Sequence, residues 1–152
     1  MDALRRRAWW ILVAVSATLV MFGAGDIVIG PTFDPGITLG LTGLTHAQLQ
    51  AESEAGYRVL DFYTRSGGVH LLVVGLALAA ITLVPYRAGA AWAWRTMWLL
   101  PAWNAGVFAM SAWFGVAEGQ SPPPPMLSAP FIGGLTVVAL LLDAGRFRAR
   151  KL

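Results

Sequence analysis

Few residues in this chain could do chemistry. There is no cysteine, and there are two histidines, His46 and His70. Disulfide frameworks, thiolate metal sites, Cys-x-x-Cys redox centres and thioether-linked haem are therefore excluded. Two histidines are also too few for two bis-histidine haems. The densest polar set is Glu54, Arg58, Asp61, Arg65 and Gly68, whose spacing of four, three, four and three puts them in one stripe of a helix. Read structurally, the stripe is a solvated face with i,i+4 pairs, Glu54 with Arg58 and Asp61 with Arg65, each worth about 0.2–0.5 kcal/mol. Read functionally, it anchors a charged ligand or a partner's loop. The structural reading is the stronger, because surface ion pairs are common and contribute little.

His70 lies about one turn inside an apolar stretch, where an ionisable side chain marks a functional candidate by default. At 100° per residue it is about 180° from Asp61, so the two cannot form a dyad within one helix. The remaining roles are haem or metal ligand, donor to a quinone-like carbonyl, or a histidine bonded to another helix. The last needs a single neighbour and is preferred; no metal is assigned. Asn104 sits mid-way along another apolar stretch, three residues after Pro101, and an interhelical hydrogen bond is its expected role. Pro101 leaves the Met97 carbonyl without its helical donor and kinks that helix.

The elements that position these residues are read from hydropathy. The 152 residues are 57% hydrophobic and 12% charged, against about 25% charged in soluble domains, and the mean hydropathy is +0.62. Crossing a bilayer core of about 30 Å takes about 20 apolar residues. Four stretches qualify: residues 8–25, 66–86, 96–117 and 126–142, the last preceded by an extended lead-in at 121–125 that holds Pro122 to Pro125. The expected fold is all-α, a four-helix transmembrane bundle in one domain. The small residues Gly23-Ala24-Gly25 resemble a signal-peptide cleavage site, but residues 8–25 are read as a retained span.

Orientation follows from the basic residues, which favour cytoplasmic loops. With both termini cytoplasmic, the inner face holds Arg5, Arg6, Arg7, Arg87, Arg95 and the tail at 146–152, which contains Arg146, Arg148, Arg150 and Lys151. The outer face then holds only Arg58 and Arg65, together with Asp26, Asp34, Glu52, Glu54, Asp61 and Glu118. The net charge of +3 is a topogenic signal, and a nucleic-acid partner is excluded because no binding fold accompanies the short basic clusters. The segment 26–65 lies outside, with Ile27 to Leu44 expected irregular or re-entrant and a helix from about Thr45, which has capping-box spacing to Gln48.

Depth alone suggests a pocket in the outer leaflet. His70 and Ser111 line it with Trp103 and Trp113, and Asp26, Arg65 and Glu118 stand at its mouth. Gly67, Gly68, Gly133 and Gly134 are helix-packing candidates, with Asn104 as a polar tie.

The motif order resembles a group of small bacterial four-helix membrane proteins, the domain-of-unknown-function 4345 group and its DoxX-like relatives. The matching residues are Phe22-Gly23 and Asp34-Pro35, then Glu54 and Arg58 leading to Arg65-Ser66-Gly67-Gly68. His70 and the four prolines depart from that pattern. The resemblance implies a multi-pass protein of a bacterial inner membrane, in a group named for a quinol-oxidase subunit. The functional expectation is a non-catalytic accessory or structural subunit, in contact with lipid and with a protein partner or further copies of itself. The alternative is a stand-alone binder or redox enzyme for a quinone-like molecule; the sequence specifies no cofactor and no reaction.

Overall fold

In a computed structural model, which describes residues 8–148, the regular elements are all helical and no strand occurs among the described residues. In chain order the elements are α1 (Trp9–Ile29), a 3₁₀ turn (Gly30–Phe33), α2 (Pro35–Thr42), α3 (His46–Glu52), α4 (Glu54–Ile81), a π-turn (Thr82–Tyr86), α5 (Ala91–Met97), α6 (Leu99–Phe114) and α7 (Pro124–Arg148). Arg5, Arg6, Arg7, Arg150 and Lys151 lie outside the described residues.

Three runs are long and apolar enough to cross a membrane: Trp9–Phe33, Glu54–Tyr86 and Pro124–Phe147. Only 22–28% of their most apolar windows is buried inside the protein. Large side chains such as Val28, Leu99, Phe114 and Trp113 lie bare on the surface. Apolar faces turned outward as well as inward fit lipid as the surrounding solvent. The chain is thus an all-helical protein of membrane-spanning type.

The helix bounds depart from the sequence expectation in instructive ways. Ile27 to Leu44, expected to be irregular, is mostly helical. α1 runs on to Ile29 and ends at Gly30, whose φ of 77° is open to glycine, and its N–H reaches back to the Asp26 carbonyl. Asp34-Pro35 then starts α2 with proline at its first position, where the missing N–H costs nothing. Thr45 and Gln48 form a full capping box on α3. Ser53 interrupts the helix and caps α4, its hydroxyl accepting from the Gly56 N–H at 3.0 Å. α4 then remains helical through Ser66-Gly67-Gly68. The lead-in is shorter than expected, since Pro124 and Pro125 already open α7, which continues past Leu142.

The stretch 96–117, expected as one kinked helix, is divided. α5 and α6 meet at Trp98, three residues before Pro101, and the Ala102 N–H to Trp98 carbonyl bond is stretched to 3.5 Å. A proline without an N–H cannot hold the preceding turn.

Packing follows small residues. α1 lies along α4, and α6 along α7, while no comparable packing joins α4 to α6. A Cβ on Gly68 would come within 2.7 Å of the Asp26 Cβ and 2.8 Å of the Gly23 carbonyl oxygen. One on Gly23 would come within 2.5 Å of the Leu72 nitrogen, and one on Gly75 within 2.9 Å of the Val20 nitrogen. These three glycines set the distance between α1 and α4. On α7 the buried positions Ala129, Gly133, Thr136, Leu140, Asp143 and Phe147 advance by four and three, a single seam facing the other helices.

Gly67, one residue away, has nothing within 4 Å, and neither does Gly134 beside Gly133. Both were packing candidates, but their 100° offset turns them off the seam. Gly68→Ala is therefore expected to lower thermal stability by about 1–3 kcal/mol through overpacking, whereas Gly67→Ala should be neutral or raise it by up to about 1 kcal/mol. Melting of both variants in the same detergent checks this, and equal melting temperatures would contradict it.

Candidate functional site

The polar side chains gather at the two ends of the bundle. At the distal end, where α1 finishes and α4 begins, the Arg65 guanidinium reaches the last turn of α1. Its Nη1 donates to the carbonyls of Ile27 at 2.5 Å and Val28 at 3.3 Å, and its Nε donates to the Asp61 carboxylate at 2.9 Å. The last carbonyls of a helix have no helical donors and carry its negative dipole end, so a cation there satisfies both. Arg65, expected at a pocket mouth, instead ties α4 to the end of α1. Gly30 completes the tie: a Cβ there would lie 2.6 Å from the Asp61 carboxylate. The second expected ion pair, Glu54 with Arg58, is not formed, and both side chains face outward along a groove of about 550 Å³.

Beside this tie is a hollow of about 220 Å³ that Asp26, Asp34, Thr38, Tyr63 and Gly67 help to line. Burial pushes the Asp34 carboxyl above the usual carboxylate range, and the neighbouring Gly36 N–H opposes that in part. His46 lies at the back of this region, its Nε2 2.9 Å from the Thr38 hydroxyl and its ring edge-on to Tyr57.

The outer-leaflet pocket expected from depth does not assemble. His70 is exposed and lines a recess of about 240 Å³ with Gly67, Leu71, Val74 and Trp103. Of the expected set, only Trp103 shares it. Asp26 belongs to the adjacent hollow, which shares Gly67 and Leu71 with this one. Ser111 bonds to the Val107 carbonyl of its own helix at 2.9 Å, Trp113 is 86% exposed, and Glu118 is exposed on the loop after α6. Matching depth does not bring α4 and α6 together, because each packs on a different helix. Asn104 also differs from expectation. It is buried against Gly133, yet its amide donates to the Leu100 carbonyl of its own helix at 2.9 Å. A bond four residues back along one helix satisfies an amide without any partner helix.

The proximal end holds the arrangement that the sequence reading missed. Tyr86 is fully buried, Asp143 is 3% exposed, and the Tyr86 hydroxyl donates to the Asp143 carboxyl at 2.9 Å. The π-turn makes this possible: Pro85 has no N–H, the Arg87 N–H reaches the Thr82 carbonyl five residues back, and the widened turn places Tyr86 inside. Around the pair, Phe147 lies against both Tyr86 and Trp94, the Trp94 indole donates to the Leu140 carbonyl at 3.0 Å, and Arg146 donates to the Arg87 carbonyl. Arg87 in turn lies 4.5 Å over the Trp9 ring. The Thr82 hydroxyl, beside them in sequence and fully buried, has no hydrogen-bond partner. A signal existed, since Asp143 ends an apolar run three residues before Arg146, but it reads equally as the start of a basic tail. No group of three or more potential metal ligands occurs among the described residues. No protein-family model, no curated protein and no solved structure matches the chain.

Two measurements follow from these ends. Tyr86→Phe removes the only described donor to a buried carboxyl, and is expected to cost about 1.5–3 kcal/mol, more than Asp143→Asn, which keeps an acceptor for the tyrosine. Reversible unfolding in mixed micelles ranks the two. Asp34 keeps its proton to higher pH in the native state than in the unfolded chain. The stability Asp34 contributes is present at low pH and lost as pH rises from the ordinary carboxylate range to its raised value. Asp34→Asn should flatten the stability profile in that window and raise stability above it, which thermal melts from acid to neutral pH will register.

Proposed function

We propose that this chain is a small accessory protein of a bacterial cytoplasmic membrane, which crosses it four times with both termini inside and packs against a larger membrane complex without catalysing a reaction. The single observation that carries this reading is His70. It stands exposed on a helix that crosses the bilayer, in the open recess between α4 and α6, and has no hydrogen-bond partner among the described residues. An imidazole in that setting is costly unless something covers it and supplies a partner. A transmembrane helix of another protein, with a polar side chain facing His70 and an apolar face against Val74 and Trp103, fits the recess.

The finer topology has support of the same kind. The run Ala91–Phe114, though split at Trp98, is long enough in total to reach across the bilayer core. Arg87, Arg95 and Arg146 share one end of the bundle, and Asp26, Asp34, Asp61 and Glu118 the other. The resemblance to DoxX-like proteins, on the motifs given above, points to the same role. One feature favours a second reading: His70 and Trp103 share a recess of about 240 Å³, which suits a flat carbonyl compound of quinone type, hydrogen-bonded by the imidazole and stacked on the indole.

Extraction in mild detergent followed by native mass spectrometry separates the two. A stoichiometric partner protein that is released by His70→Leu but retained by Val28→Leu is expected. The chain alone, as monomer or dimer, would overturn the accessory reading, and a bound quinone lost with His70→Leu would replace it with the second.

A further inference from the structure

One face of α4 has a regularity that neither the fold nor the recess uses. Phe62, Val69 and Leu76 recur every seven residues on α4, and Leu83 follows in the π-turn, all exposed, at 65%, 50%, 55% and 43%. Val59, Ser66, Val73 and Ala80 occupy the alternating positions, exposed except for half-buried Ser66. Together they step by three and four through more than three heptads, the pattern of a helix seam paired with another helix. At 100° per residue the seam drifts by about 20° per heptad, the drift that a left-handed pair of helices takes up.

Inside a bilayer an apolar face needs no cover, so the deciding part is the piece that leaves it. The run Glu54–Tyr86 has 33 residues, about 50 Å at 1.5 Å per residue, against a hydrocarbon core of about 30 Å. About 12 residues therefore project beyond the core, and they carry Val59 and Phe62. Whatever covers the whole seam must run beside α4 through the membrane and on past it. The other described runs that could cross are 25 and 24 residues long.

We infer that this face of α4 is a self-association seam, occupied by α4 of a second copy of the chain in parallel. A second copy inserts the same way, so it presents the same stripe at the same depth and over the same projecting length. Charge permits it: the seam positions carry no ionisable side chain, and the Asp61–Arg65 pair, which lines the distal groove beside Phe62, Ser66 and Val69, is internally neutralised and bonded to the end of α1. The flanks are complementary. Arg58 and Tyr63 stand on opposite edges of the seam, and in a parallel pair these edges meet. Each Arg58 then lies against the partner's Tyr63, an exposed ring suited to a guanidinium. Ser66 meets the partner's Ser66 near the membrane edge, where a hydroxyl pair can bond across the seam. The inference does not rest on the accessory role: it stands on the exposed stripe and its projecting length, and His70, seven residues after Tyr63, lies on the edge of the seam and not among the seam positions.

The absence of cysteine makes the test direct. Single cysteines are introduced into the full chain at Phe62, Val69, Val73 and Leu76 on the seam, and at Val74 and Leu127 as exposed positions off it, and membrane vesicles are mildly oxidised. Disulfides need Cβ atoms about 3.5–4.5 Å apart, so covalent dimer should form at the seam positions and be lost at Val74→Cys and Leu127→Cys. Equal cross-linking at both sets, or none at any position, would overturn the seam. Phe62→Asp, in the projecting part where burial in lipid is not at stake, gives a second readout. It should convert a detergent-purified dimer to monomer on light scattering, and a dimer that persists unchanged counts against the proposal.

Discussion

The close approach of α1 and α4 governs the rest of the molecule. Gly23, Gly68 and Gly75 remove the side chains that would hold the two helices apart, and backbone meets backbone along their contact. Lipid offers no hydrophobic force between helices, so such contact has to arise from van der Waals packing, which small residues maximise. Once α1 and α4 are fixed at that distance, the rotation of α4 is fixed as well. Arg65 and Asp61 fall beside the end of α1, where the guanidinium satisfies carbonyls that the helix leaves open. The same rotation carries His70 away from α1 and onto the open side facing α6. The distal tie and the exposed imidazole are consequences of one packing geometry.

The two ends of the bundle are built differently because they solve different problems. The apolar core is concentrated at the proximal end, where Leu12, Met97, Leu100, Leu140 and Phe147 belong to one buried cluster with Tyr86, the donor to Asp143. That end must hold α7 against α4 and α5, which are joined to each other through a proline-bearing π-turn and a short loop. A buried hydroxyl-to-carboxyl bond among aromatic rings holds them in one arrangement, and its removal leaves a polar group with no water to turn to. The distal end has little apolar core. It is held instead by capping: Gly30 and Arg65 on α1, Thr45 on α3, Ser53 on α4. Local hydrogen bonds suffice there because those turns lie near the surface.

How much of this could be read from the sequence follows the same division. Features set by neighbours along the chain were legible: the apolar runs, the Thr45–Gln48 box, the interruption before Pro101, and the stripe that aligns Asp61 with Arg65. Features set by helix rotation were not. Gly67 and Gly68 look alike in the sequence, and only the choice of facing helix makes one a contact and leaves the other open. Ser111 and His70 were placed together by depth, but depth fixes one coordinate of three. The segment after α1 was read as irregular because Gly30-Pro31 and Asp34-Pro35 are turn formers. Each proline in fact sits at the first turn of a helical element, where it is tolerated. Asp143 was hidden by its setting, since a carboxylate followed by basic residues is also what a helix end at a membrane surface looks like.

The hydroxyl and amide groups of the apolar helices sharpen what is unusual about His70. Ser16, Thr18, Thr96, Asn104, Ser111 and Thr136 each bond to the carbonyl four residues earlier in their own helix. A short side chain in a regular helix can reach that carbonyl, so these residues enter a low-dielectric medium without needing a neighbour, whereas the buried Thr82 hydroxyl, in the π-turn, finds none. The His70 imidazole makes no such bond and has no hydrogen-bond partner among the described residues. Within the chain the nearest candidate wall is α6, which presents the Trp103 ring in the recess, and an indole has a donor to offer but no acceptor. An imidazole that can both donate and accept is therefore only half answered by this recess, even if α6 moves closer. The missing acceptor is a property of the recess itself: beside His70 its lining is Gly67, Leu71, Val74 and Trp103, which offer the imidazole one side-chain donor and no side-chain acceptor.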